Sequence, residues 1–81
     1  MPRFFFDFID GGSFTDTTGH DLADDRAVRM EAMRALPEIA RDAIPQDVDM
    51  QTYTVLVSDE HDKPVYSATL IYAGVWLRNG R

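Results

Sequence analysis

Three observations predict an α+β fold: an aromatic strand near the N-terminus, one helical segment in the middle, and two alternating β segments after it. In the order β-β-α-β-β they make a two-layer domain, an antiparallel sheet of three or four strands packed against one helix. The chain has 81 residues, of which 44% are hydrophobic, so it is too apolar to be disordered and large enough for only one small core. Residues 1–77 are expected to form that domain, with 78–81 as a C-terminal tail.

Arg3 to Ile9 (RFFFDFI) is rich in aromatic residues and too short for a helix. Strand alternation sets Phe4, Phe6 and Phe8 on one face, and Phe5, Asp7 and Ile9 on the other. Asp10-Gly11-Gly12 supplies a turn after it. A short second strand pairing back on the first fits either Ser13–Thr15 or Gly19–Leu22, around the turn-rich Asp16-Thr17-Thr18-Gly19.

The pattern becomes helical at Asp24, which suits an N-cap, with Asp25 where the helix dipole favours an anion. Ala27, Met30, Ala40, Ala43 and Ile44 help form an apolar arc, opposite Glu31, Arg34, Glu38, Arg41 and Asp42. Pro37 removes a backbone donor and crowds the carbonyl of Met33. The expectation is a helix kinked at Pro37, or broken there with Pro37 opening a second helix. Pro45 ends the run, and Gln46 to Gln51 reads as a polar connector.

Thr52 to Ser58 and Val65 to Ala73 are the clearest strands. Glu60, His61, Asp62, Lys63 and Pro64 form the turn of an antiparallel hairpin, and Val75 to Leu77 extends the last strand if Gly74 marks a bulge. The core is expected to include Phe4, Phe6, Val55, Val57 and Leu70.

MPRFFFDF followed by Asp10-Gly11-Gly12, the Gly19 to Asp24 entry to the helix, and ALPEIARDAIP at Ala35 to Pro45 form a pattern with a family likeness. So do Asp59-Glu60, Lys63-Pro64-Val65 and the SATL of Ser67 to Leu70. Together they resemble a family of small proteins of rhizobia and their relatives, known only as a domain of unknown function. The resemblance reaches to about Leu77. It implies a shared fold unit and no activity, cofactor or catalytic residue.

The net charge is −6. Six aspartates and no basic residue lie between Phe4 and Asp25, and the stretch from Asp42 to Asp62 is equally free of Lys and Arg. Such a surface repels phosphate backbones, so nucleic acid is a disfavoured partner, although Arg26, Arg29, Arg34 and Arg41 share one segment. No apolar run approaches the ~20 residues of a membrane span, no signal-peptide pattern opens the chain, and there is no cysteine. The expectation is a cytoplasmic protein without a membrane partner.

Candidate chemistry is sparse. A metal site would have to gather His20 and Asp21 with Asp16 or Asp24, a loose set beside the simpler reading of a solvated loop histidine. Asp7-x-x-Asp10-Gly11-Gly12 lacks the alternating ligands of a calcium loop. Ser13, Ser58 and Ser67 stand in no nucleophile elbow, and no glycine-rich phosphate loop is present. The sequence thus predicts no enzyme, no catalytic or metal-binding residue and no cofactor.

The aromatic residues are more numerous than one helix can cover. Tyr66, Tyr72, Trp76 and Phe5 are the candidate interface, and the expected activity is that of a protein-interaction or regulatory module acting as a homodimer. A further protein partner is compatible with this. The alternative is a nucleic-acid-associated regulator of small antitoxin-like type, reading through Arg26 and Arg29.

Overall fold

The computed structural model describes residues 2–9, 13–43 and 49–78. The elements run β1 (Arg3–Ile9), β2 (Ser13–Phe14), β3 (His20–Asp21), α1 (Asp25–Ala43), β4 (Met50–Ser58) and β5 (Pro64–Ala73). The fold is α+β, with an antiparallel sheet in the order β2-β1-β4-β5 and β3 pairing β1 as well. The second strand therefore occupies both positions that the sequence offered. Phe8 and Ile9 pair with Phe14 and Ser13, while Arg3 and Phe4 pair with Asp21 and His20.

β1 lies beside β4 from Phe5↔Ser58 to Ile9↔Thr54, and β4 lies beside β5 from Ser58↔Pro64 to Met50↔Ala73. One face of the sheet carries Phe4, Phe6, Tyr53, Val55 and Val57, all buried, and α1 covers it with Val28, Ala32, Leu36 and Ala40. Phe8, Leu22, Ile39, Tyr66 and Ala68 pack around this core. The opposite face mixes Thr52, Thr54, Ser58, Ser67 and Thr69 with Met50, Leu56 and Ile71 along β4 and β5, and Thr54 and Thr69 meet there at 3.1 Å between hydroxyls. Alternation with period 2 selects these two sets, and the helix repeat Val28, Ala32, Leu36 supplies the matching stripe.

Asp24 caps α1: its Oδ1 accepts the Ala27 N–H at 3.0 Å. Arg34 bridges Glu31 and Glu38 along the outer face. The helix is a single segment through Pro37, so the broken alternative is not realised. Pro37 and Met33 are both exposed, which leaves water free to hydrate the carbonyl that proline deprives of a donor.

Other expectations are corrected. Met30 lies outside the apolar arc at 52% exposed, because Val28, Ala32 and Leu36 define the buried direction and Met30 points away from it. Leu70 borders the core and stays partly open, because it lies on the outermost strand. β4 begins at Met50, within the supposed connector. β5 ends at Ala73, so Val75 to Leu77 do not extend it, and the one register shift falls at Val57/Ser58. The Asp10-Gly11-Gly12 turn, Ile44, Pro45 and the side chains of Asp42 and Ala43 lie outside the described residues.

The β4–β5 turn is built by Asp59. Its Oδ1 accepts from the N–H of His61 at 2.8 Å and of Lys63 at 3.0 Å, while the Asp62 N–H donates to its carbonyl. Asp62 takes φ +62°, so three residues close the hairpin as a type I turn with a left-handed third residue.

Candidate interaction surface

Asp16 joins β2 and β3 into one edge. Phe6 lies between the residues of β1 that pair with β3 and β2, and its N–H donates to Asp16 Oδ2 at 3.1 Å. The same carboxylate accepts from Thr18 and Gly19 N–H through Oδ1, each at 3.0 Å. Asp16 N–H in turn donates to Asp7 Oδ1 at 3.0 Å. Gly19, at φ +80°, turns the chain back under the Arg3 side chain, which bonds Asp21 and the Thr18 carbonyl. Burial, the largest influence, pushes the Asp16 carboxyl up, but the N–H groups of Gly19, Phe6 and Thr18 together with His20 hold it below its ordinary value of 3.8.

Asp7, Asp16, Asp59, Glu60 and Asp62 line a shallow hollow of about 220 Å³ with Phe5, Thr15 and Ser58. The carboxylates of Asp7, Asp16 and Asp59 accept backbone N–H groups. Asp59 is also held below its ordinary range, chiefly by the Lys63 N–H, against desolvation and with help from His61. Of the candidate metal set, His20 Nε2 lies 3.9 Å from Asp16 and its ring meets Phe6 edge-on, whereas Asp21 is paired with Arg3 and Asp24 caps the helix. Among the described residues no three His, Asp or Glu side chains form a group able to hold a metal ion. Of the serines, Ser58 opens onto the acidic hollow, Ser67 lies on the face of β5 away from the helix, and the Ser13 side chain lies outside the described residues.

The four candidate interface residues do not share one surface. Tyr66 lies on the helix side of β5, half-buried against the core, and Tyr72 lies on the same side at 40% exposed. Phe5 is on the other face of the sheet, beside the acidic hollow. Trp76 follows the end of β5, 62% exposed, with the Arg78 guanidinium 5.5 Å from its ring centre. Gly74 N–H donates to the Asp49 carbonyl at 2.7 Å and holds this tail beside the start of β4.

Sequence reasoning missed two features that lie together. The first is the outer edge of β5, ten residues long and bearing no strand among the described residues. Its signal is that no charged residue occurs from Pro64 to Leu77, whereas edge strands are ordinarily guarded by charge. The second is a groove of about 300 Å³ between α1 and β5, lined by Asp25, Arg26, Val28, Arg29, Val65 and Tyr66. Arg26 and Arg29 were legible as residues, but their place beside Tyr66 depends on how the helix lies on the sheet.

Fold and surface together define a small two-layer α+β domain with one guarded edge and, among the described residues, one open edge. No helix among the described residues is long and apolar enough to cross a membrane. The model of a domain of unknown function, DUF6894, matches residues 3–71, and the chain belongs to that family. No curated protein and no solved structure matches it.

Proposed function

We propose that this domain is a non-catalytic protein-interaction or regulatory module that acts in the cytoplasm through self-association as a homodimer. The open edge of β5 carries this reading: a long strand with exposed Ile71 and Tyr72 and no charge along it favours pairing with another chain. Tyr72 and Trp76, exposed near its end, add the aromatic area in which protein interfaces are enriched. Light scattering after size exclusion, across a concentration series, tests it. A dimer that weakens in the Tyr72→Ala/Trp76→Ala double variant is the expected result; a monomer at high micromolar concentration overturns the reading.

The side-by-side placement of Arg26 and Arg29 at the groove favours a second reading, a nucleic-acid-associated regulator. It requires salt-sensitive binding of DNA or RNA that is lost in an Arg26→Ala/Arg29→Ala variant. The net charge of −6 weighs against it.

A further inference from the structure

We infer that β5 pairs antiparallel with β5 of a second copy about a two-fold axis at Thr69, joining two sheets into one and closing each helix–strand groove with an aromatic residue of the partner subunit. This rests on the self-association proposed above and assigns it a surface, a register and a consequence.

The register follows from backbone direction. Phe6 gives its N–H to Asp16, away from β4, so Phe6↔Val57 is a pair without mutual hydrogen bonds. Val57 therefore directs its backbone groups toward β5, and its neighbour there is Tyr66. Alternation then turns Tyr66, Ala68, Leu70 and Tyr72 inward to β4, and Ser67, Thr69 and Ile71 outward to the open edge. The Thr54–Thr69 hydroxyl contact agrees, since side chains approach most closely in pairs without mutual hydrogen bonds.

A second β5 must present outward-directed residues to outward-directed residues. That requires a two-fold axis on a residue and excludes one between residues. The register shift at Val57/Ser58 leaves Tyr66 to Ala73 as the regular part of the strand. An axis at Thr69 pairs Tyr66 with Tyr72 of the partner subunit and Ala68 with Leu70 of the partner subunit. Each match is between apolar side chains on the helix side, and it occurs twice. Cross-strand aromatic pairs of this type are stabilising, and no charged residue opposes them anywhere from Pro64 to Leu77.

The groove supplies a second, independent argument. Tyr66 forms one of its walls, so Tyr72 of the partner subunit, once turned by a change of rotamer from the Gly74 backbone it lies against in the single chain, arrives at its mouth beside Val65, Arg26 and Arg29. A tyrosine suits a groove with an apolar floor and guanidinium groups at its rim. The helix adds a third. The flank of α1 that carries Arg26 and Arg29 faces β5, and Met33, one turn beyond Arg29, is 52% exposed on it. With strands about 4.8 Å apart and α1 lying over β4 and β5, two such helices would stand about 10 Å apart, a helix-packing distance. Met33 would then be covered.

The chain has no cysteine, so single cysteines report the register directly. Under mild oxidation, Thr69→Cys, on the axis, should form a covalent dimer within the reach of a disulfide. Ser67→Cys and Ile71→Cys should not form one singly, because each then lies about 13 Å from its own copy, but the Ser67→Cys/Ile71→Cys pair should. Thr69→Pro removes the outward N–H along with the exposed Thr54–Thr69 hydroxyl contact, which Thr69→Ala removes alone; both variants should keep the strand and helix signals in circular dichroism, and only Thr69→Pro should be monomeric. A wild-type monomer at high micromolar concentration overturns self-association and this inference together. A wild-type dimer that fails to cross-link through Thr69→Cys, or links through Ala68→Cys or Leu70→Cys instead, overturns the pairing at Thr69 and leaves self-association standing.

Discussion

The Asp16 carboxylate accepts the Phe6 backbone N–H at 3.1 Å, in the gap between two strands that each pair with β1 for only two residues. A side chain thus completes a sheet edge where the backbone does not. Edges left incomplete invite foreign strands. On this side of the sheet the invitation is withdrawn; along β5 it stands open.

Replacing Asp16 with Asn should therefore destabilise the domain by about 2 kcal/mol, since three N–H donors lose a charged acceptor. Chemical denaturation at pH 7 measures it.

The same residue sets a pH dependence. Its folded pKa is below the ordinary 3.8, so the unfolded chain binds the proton more readily. Its stabilisation is fully present above that ordinary value and is lost as pH falls through the lowered one. Asp59 acts in the same direction from an exposed position. Denaturation midpoints should fall between pH 5 and about pH 2.5 in the wild type, and fall less in Asp16→Asn.

Gly19→Ala should cost about 1–2 kcal/mol. An alanine at φ +80° is strained, and its Cβ would come within 2.8 Å of Arg3 Cγ, a flexible side chain able to shift in part. A lowered thermal midpoint, with secondary structure retained at low temperature, is the expected outcome.

Phe6 is 2% exposed at the centre of the core, and Phe6→Ala should remove about 3–5 kcal/mol. That is comparable with the whole stability of a domain this small, so the variant should be unfolded at room temperature. Loss of the sigmoidal thermal transition is the readout.

Met33→Lys places a charge on the helix flank nearest β5 without touching the core. It should weaken self-association at least tenfold, read by sedimentation or light scattering, and leave the acid-unfolding profile in place.

The hairpin and the helix entry were legible because their signals are local. Alternation over Thr52 to Ser58 and Val65 to Ala73, the Asp59 turn and the Asp24 cap each depend on residues within a few positions. The choice between a kinked and a broken helix at Pro37 was not legible, because propensity cannot see that this side of the helix faces water. Asp16 was visible as a turn residue, but its bond to Phe6 spans ten positions and needs the fold first. The scatter of Phe5, Tyr66, Tyr72 and Trp76 has the same origin, since strand parity separates faces and only tertiary packing says which face the helix covers. The absence of charge along β5 was the unused clue to the surface.

The pairing of Phe5 with Ser58 and Ile9 with Thr54 has a kinetic consequence. The β4–β5 hairpin closes over a three-residue turn, whereas β1 reaches β4 only after a loop of more than forty residues has been gathered. Loop-closure entropy makes the second event the slower one. A core substitution in β1 such as Phe6→Leu should therefore speed unfolding more than it slows refolding, and one confined to the hairpin turn, such as Asp59→Ala, should do the reverse. The helix is threaded within that same loop, so its docking and the capture of β1 become one event: the domain acquires its core and its central strand pair in a single late step.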